Sequence, residues 1–187
     1  MPDWNAVYED KAVANATPAE VLTINEHLLS AGGHALDYAS GLAGNATYLA
    51  AKGYQVSAWD LSETAVNKIK TYAKTHELDI QAACYDLENN APQIKNKFDL
   101  VVVSFFLHRE TLRYLYDALK KDGLLFYQTF SGLPVNGYGP SREDFRLRHN
   151  ELLGVFPDMQ LLFYREDDEN ATGENARQGL TYFVAKK

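Results

Sequence analysis

Two carboxylates set beside a run of very small residues are the first feature of this sequence able to do chemistry. Asp37 opens the stretch DYASGLAGN (residues 37–45), and Asp60 lies 19 residues beyond Gly41. Gly41 lets the backbone approach a ligand closely, and Ala39 and Ala43 are the next smallest choices. A helix beginning near Asn45 would turn its free amides toward a carboxylate or another anionic group. Asp60 ends the following apolar segment, where it is placed to accept hydrogen bonds from both hydroxyls of a ribose; its ordinary alternative is a helix cap or a turn. This pair suits a nicotinamide or an adenosyl cofactor. The dinucleotide fingerprint G-x-G-x-x-G, read around Gly41, has Ala39 in place of its first glycine. Asp37 would repel a pyrophosphate and attract an ammonium group. The balance favours the adenosyl compound.

Other candidates are less specific. Asp86 follows a third apolar segment and reads either as an acceptor for an adenine amino group or as a turn former. His108 follows FDLVVVSFFL (residues 98–107), and is either a general base or a solvent-facing residue in the first turn of a helix. Arg109 either anchors an acidic acceptor or pairs with Glu110 or Glu166. Phe105, Phe106, Tyr138 and Tyr164 either wall an apolar acceptor pocket or complete the core. His27, His34, His76 and His149 lack partners at metal-ligand spacing, so no metal site is expected. Cys84 is the single cysteine. It allows no internal disulfide and no cysteine zinc site, and its apolar surroundings predict a small buried core residue.

The elements that must carry these residues alternate between strand and helix. Thr17, Pro18 and Glu20 predict a capped helix over residues 17–30, with Val21, Ile24 and Leu28 on its apolar stripe. The segment before it, with Trp4 and Tyr8, has no clean periodicity and reads as a lid or a packed arm. Strands are expected from Ala35, over 55–59, over 80–84, and over the continuous apolar run from 98, which suits a strand covered on both faces. Helices fall between them, the longest capped by Ser62. Asp122-Gly123 turns into a fifth strand, LLFYQTF. A helix over 143–156 follows, its Arg142, Arg146 and Arg148 forming a solvated face. Two last strands, 159–164 and 180–185, have no helix between them and should pair antiparallel. The pattern is that of an α/β Rossmann-like three-layer sandwich, with a mostly parallel seven-stranded sheet and an antiparallel C-terminal hairpin. One domain over 1–187 is expected, with an N-terminal arm and helix at 1–33 and the catalytic sheet and helices at 34–187.

The formal net charge of −7 and dispersed basic residues argue against a nucleic-acid partner. The first residues have no basic stretch followed by an apolar one, and no run approaches the roughly 18 apolar residues of a membrane span. A cytoplasmic protein is expected; nothing in the sequence specifies an oligomeric state.

ALDYASGLAGNATYLAAKGYQVSAWDLSETAV resembles motif I and the second strand of class I S-adenosylmethionine-dependent methyltransferases. The resemblance continues through YDL (85–87), FDLVVVSFFLHRETL (98–112), LKKDGLLFYQTF (119–130) and NELLGVFPDMQLLFYRE (150–166), and is closest to the small tellurite-resistance type. It implies S-adenosyl-L-methionine as cofactor, S-adenosyl-L-homocysteine as product and a small-molecule acceptor. Asp37, Ala39, Gly41 and Asn45 would border the methionine end. Asp60 would hold the ribose, with Leu61 and Ser62 beside the adenine. Asp86 would accept from the adenine amino group, with Leu87 against the ring, and Ser104 would face the methionine part. The chain departs from the family in having Ala39 and Ala43 at two motif I glycine positions. The basic residues that the tellurite type carries near its C-terminal hairpin have no clear match in ENATGENARQG. A non-catalytic adenosyl-binding protein and an NAD-dependent oxidoreductase are the alternative readings.

Overall fold

The computed structural model describes residues 2–187. Seven strands form one sheet: β1 (Gly33–Tyr38), β2 (Tyr54–Asp60), β3 (Ile80–Cys84), β4 (Phe98–Ser104), β5 (Leu119–Phe130), β6 (Gln160–Asp167) and β7 (Leu180–Lys186). Their order is β3-β2-β1-β4-β5-β7-β6. The first five run parallel, while β7 pairs antiparallel with both β5 and β6. Strand order reverses between β1 and β4, so ligands are expected beyond the carboxyl ends of these two. Central β4 is FDLVVVS and buries five of its seven residues, as a strand covered on both faces must.

Two apolar cores cover the two faces. One gathers Val21, Leu22, Leu49, Val66 and Ile69 from α2 (Glu20–Ile24), α3 (Gly44–Ala51) and α4 (Glu63–Thr75). The other gathers Leu112, Leu115 and Leu152 from α5 (Leu112–Ala118) and α6 (Glu151–Val155). α4 shows why these segments are helical. Ser62 caps it by accepting the Ala65 amide at 3.1 Å, Glu63 sits in the first turn, and Ala65, Val66, Ile69 and Ala73 form a buried stripe. A short helix, α1 (Trp4–Tyr8), precedes these elements, capped by Asp3.

Two expected helices are overturned. Over residues 17–30 only α2 and a 3-10 turn, Glu26–Leu28, form. Ala19, not Thr17, stands at the N-cap, because distant side chains take the first amides: Asn45 accepts from Ala19 at 2.8 Å and Gln128 from Val21 at 2.9 Å. The Glu20 carboxylate, expected to close a capping box, goes instead to Arg177 and Tyr182. Over 143–156 a 3-10 turn, Glu143–Phe145, and α6 are separated by an extended stretch. There the Leu147 amide donates to the Phe130 carbonyl at 2.8 Å, and the Leu147 carbonyl accepts from Gly132 at 3.0 Å. Arg146 is no part of a solvated face. It is 3% exposed, and its guanidinium donates to the carbonyls of Ser131, Gly132, Leu133, Pro140 and Gly179. The buried-core reading of Cys84 is also corrected: it is exposed at the end of β3, its thiol donating to the Leu61 carbonyl at 3.1 Å. Among the described residues no helix is long and apolar enough to cross a membrane.

Candidate functional site

The β1–α3 turn is built on three consecutive left-handed positions in alternation: Ala39 (φ 58°), Gly41 (φ 51°) and Ala43 (φ 60°). Only glycine adopts such angles without cost, so two alanines here hold strained backbone. Neighbouring strands hold the turn in place. The Ser40 amide donates to the Trp59 carbonyl at 2.8 Å, and the Gly41 amide donates to Asp60 Oδ2 at 2.8 Å. Asp60 Oδ1 accepts the Ser62 amide at 2.9 Å. Asp60 is buried, and burial raises its pKa against the opposing pull of the Ser62, Gly41 and Leu61 amides. A carboxylate offers about four lone-pair positions, so two amides leave both oxygens able to accept again.

Asp37 is fully buried on β1, and its carboxylate is spent locally. Oδ1 accepts from Asn45 Nδ2 at 3.1 Å and Oδ2 from the Ala46 amide at 3.0 Å. Ala43, the N-cap of α3, has no polar side chain to cap the helix, so Asp37 on the strand supplies the acceptor. Desolvation pushes the Asp37 pKa up to about 7, outweighing the Asn45 and Ala46 hydrogen bonds. Its reach to an ammonium group therefore runs through the turn rather than by direct contact. Asn45 is the junction: Nδ2 also donates to Ser104 Oγ at 3.0 Å, and Oδ1 holds Ala19.

Ser40, Gly44, Asn45 and Ser104 line a cavity of about 430 Å³ with Lys11 and Thr17 of the N-terminal arm. The hydroxyl of Ser40, buried in its wall, is without a hydrogen-bond partner among the described residues. An orphaned donor beside the N-terminus of an eight-residue helix fits an incoming carboxylate. With the spare acceptor sites on Asp60, the donor set matches the two ends of an adenosyl amino acid.

The other expected site residues are distributed unevenly. Leu61 is 39% exposed at the rim. Ser62 is buried, its hydroxyl consumed in capping α4 and donating to Asn5 Oδ1 at 2.8 Å. Asp86 closes its own turn, accepting the Glu88 amide at 3.1 Å, the Asn89 amide at 3.0 Å and Asn89 Nδ2 at 2.9 Å. These bonds, led by the Asn89 side chain, hold its carboxyl below the usual range. Leu87 is buried against the Tyr38 side chain, whose hydroxyl donates to its carbonyl at 3.4 Å. His108 precedes a 3-10 turn, lies 3.3 Å from Thr111 Oγ1 through Nδ1, and lines neither this cavity nor the second one described below. Arg109 pairs with Glu151, not with Glu110 or Glu166, and donates to two carbonyls besides.

Tyr8, read from sequence only as part of a lid or a packed arm, lies against the turn. Its hydroxyl lies 3.0 Å from where a Cβ on Gly41 would stand, so the ring covers the turn. Burial and the charge of Asp60 push its phenol up to about 12. The arm is fastened from α4: Lys68 Nζ donates to the carbonyls of Tyr8, Glu9 and Lys11 at 2.8, 2.5 and 2.7 Å, and Asn5 Oδ1 accepts the Thr64 amide at 3.1 Å. A lysine closing the C-terminus of a helix is the cation that end favours. The legible signal was Asp3, a good N-cap ahead of Trp4.

A second cavity, of about 380 Å³, is lined from the ends of β4 and β5, its Phe105 following the Ser104 that lines the first. Phe105, Gln128 and Tyr138 line it together with Glu20, Arg177 and Tyr182. Phe105 and Tyr138 thus take the pocket-wall reading, whereas Phe106 and Tyr164 pack against the core.

Known proteins share the sequence pattern and the fold of this chain. A curated relative, the probable S-adenosyl-L-methionine-dependent methyltransferase TehB of Haemophilus influenzae, is 27% identical over 170 residues, covering 81% of this chain and 56% of its own length. The chain thus spans about half the length of that relative. The crystal structure of TehB from the same organism superposes with a TM-score of 0.73 at 21% identity, over 98% of this chain and 67% of that one. A Burkholderia thailandensis 1,6-didemethyltoxoflavin-N1-methyltransferase, solved with 1,6-didemethyltoxoflavin and S-adenosylhomocysteine bound, superposes with a TM-score of 0.67 at 15% identity, over 97% and 80%. The two structural likenesses establish a shared Rossmann-like fold. The family model of the tellurite resistance protein TehB matches residues 4–177, and by that match the chain belongs to the TehB family.

Proposed function

We propose that this chain binds S-adenosyl-L-methionine and transfers its methyl group to a small-molecule acceptor. The observation that carries the reading is the buried Asp60 carboxylate, fixed by the Gly41 and Ser62 amides with acceptor capacity to spare. Asp60 would hold the ribose hydroxyls. Ser40 Oγ and the first amides of α3 would hold the methionine carboxylate, and Tyr8 would close over the ribose. When bound, the cofactor would supply a methyl group on cationic sulfur to the acceptor's lone pair, leaving S-adenosyl-L-homocysteine and, from an N–H or O–H acceptor, a proton. The protein's own work is then to align the acceptor and exclude water. Ser104 and the arm do the first, and Tyr8, held by Lys68, does the second. Leu61 and Leu87 would flank the adenine, and Asp86 would accept from its amino group with a lone pair its turn leaves free. His108, whose ring Nδ1 lies 3.3 Å from Thr111 Oγ1, would serve as general base if the acceptor is a hydroxyl or an ammonium group.

A small acceptor suits two cavities of this size and a chain of net charge −7, which disfavours nucleic acid. A cytoplasmic site of action is part of the same reading; among the described residues no helix is long and apolar enough to cross a membrane. Calorimetry with S-adenosylmethionine, S-adenosylhomocysteine and NAD tests the cofactor. The two adenosyl compounds should bind, NAD should not, and Asp60→Ala should remove binding from a folded protein. Release of S-adenosylhomocysteine on incubation with an acceptor panel separates an enzyme from a non-catalytic binder.

A further inference from the structure

We infer that the second cavity is the acceptor subsite and that it selects an uncharged, planar heteroaromatic molecule; the acceptor role rests on the methyltransferase reading above. Position comes first. Ser104 and Phe105 are consecutive at the end of β4, one lining the first cavity and the other the second, and Gln128 stands opposite Ser104 in the β4–β5 register. A ligand in the second cavity therefore lies one residue from the methionine end of the first.

The wall is aromatic for a reason other than core packing. Phe105 is 47% exposed and left-handed, at φ 55°, with its amide donating to the Gln128 carbonyl at 2.8 Å. A bulky residue seldom holds that conformation, and here it turns the ring out of the core. Phe105 and Phe130 lie 5.1 Å apart between ring centres with their planes at 42°, and Phe130 and Tyr138 5.2 Å apart at 71°, so the wall is an angled aromatic cluster in which a ring lying on one face meets the edge of the next.

The polar groups favour a neutral ligand. The two charged residues of the lining consume each other: Arg177 grips Glu20 with two hydrogen bonds of 2.6 Å, and the Tyr182 hydroxyl donates to the same carboxylate at 2.7 Å. Arg146 spends its guanidinium on carbonyls behind the loop. An oxyanion finds no free cation here, and a cation finds no free carboxylate. Gln128 supplies a directional group instead. It is 4% exposed, the Val21 amide fixes its Oε1 at 2.9 Å, and its Nε2 has no acceptor among the described residues. A ring nitrogen or carbonyl oxygen would satisfy that donor. A cavity of about 380 Å³ holds a bicyclic ring system.

Three uncharged bicyclic probes test this by calorimetry, with and without S-adenosylhomocysteine: hypoxanthine, indazole and 4-quinolone, beside benzoate, selenite and cyclohexanol. At least one bicyclic ring should bind more tightly than every control. Phe105→Ala and Gln128→Glu should each weaken that ring at least tenfold, while S-adenosylhomocysteine affinity stays within twofold. Gln128→Glu keeps an oxygen for the Val21 amide and replaces the donor with a charged acceptor, which a ring nitrogen or carbonyl oxygen cannot bond, and Phe105 is exposed enough to be replaced without loss of fold. Failure of all three rings, tighter binding of benzoate or selenite, or affinities untouched by both variants overturns the proposal. Loss of S-adenosylhomocysteine binding with ring binding retained overturns the cofactor reading instead, and leaves the planar site in place.

Discussion

The two cavities are both lined from the end of β4 but are built differently. The first is made chiefly of short-range contacts: a turn of small residues, the carboxylate one strand over, and a helix that begins seven residues after Asp37. The second is assembled by residues far apart in the chain. Glu20 and Arg177 are separated by 157 positions, Val21 and Gln128 by 107, and Arg146 reaches across to Gly179. Local construction makes a site that tolerates little change in chemistry. Long-range construction, by loops around buried anchors, lets the lining vary while the sheet stays fixed, which suits a constant cofactor beside a variable acceptor.

Breaking the anchor of the second region should have the largest effect. Arg146→Ala would strand five carbonyls, at a cost of about 3 kcal/mol, or a fall in melting temperature on the order of 10 °C in a domain of this size. S-adenosylhomocysteine affinity in the folded variant should hold. If calorimetry showed it falling in parallel, the two regions would be one cooperative unit and the contrast drawn here would fail.

Asp37 sharpens the comparison from the other side through pH. Its folded-state pKa, pushed up to about 7 by burial, lies above the ordinary value of 3.8. The folded chain therefore holds a proton that the unfolded chain releases between those values. This group's contribution to stability is complete below about pH 4 and is lost as pH rises through about 7. Asp37→Asn removes the titrating group and sets an amide nitrogen against one of the two donors, Asn45 Nδ2 or the Ala46 amide, that the Asp37 oxygens accept from. Denaturant titrations from pH 4 to 8 should therefore show a flatter slope for the variant than for the parent, and parallel slopes would refute the assignment. Smaller again is Tyr8→Ala, which should weaken S-adenosylhomocysteine about tenfold, or roughly 1.4 kcal/mol, with little change in bicyclic-ring binding.

The same contrast explains what was legible from sequence. Alternating apolar runs and caps mark the strand order's raw material, and the distance from Gly41 to Asp60 locates the turn, because both signals lie within a few tens of residues. The helix over 17–30 was overestimated because its amides are taken by Asn45 and Gln128, which no local pattern announces. Arg146 was read as a surface residue because its buried partners are all backbone carbonyls, invisible as residue types. The cover formed by Tyr8 depends on Lys68, 60 positions away. The second cavity was legible only as a scatter of aromatics.

The smallest effect is the most direct test of the turn itself. Ala39 and Ala43 share the left-handed conformation but differ in surroundings: Ala39 is half-buried, whereas the methyl of Ala43 is wholly buried. Replacing a left-handed alanine by glycine relieves about 1–2 kcal/mol of backbone strain and gives back roughly 0.5–1 through the freer unfolded chain. Ala39→Gly should therefore stabilise the protein by about 0.5–1 kcal/mol. At Ala43 the same change also removes a buried methyl, worth about 0.8 kcal/mol, so Ala43→Gly should come out near zero. Equal stabilisation by the two would mean that the buried methyl contributes nothing, and destabilisation by Ala39→Gly would mean that the left-handed turn carries no strain. Because each methyl also narrows the cradle, the gain at Ala39 should be accompanied by S-adenosylhomocysteine affinity that is unchanged or tighter.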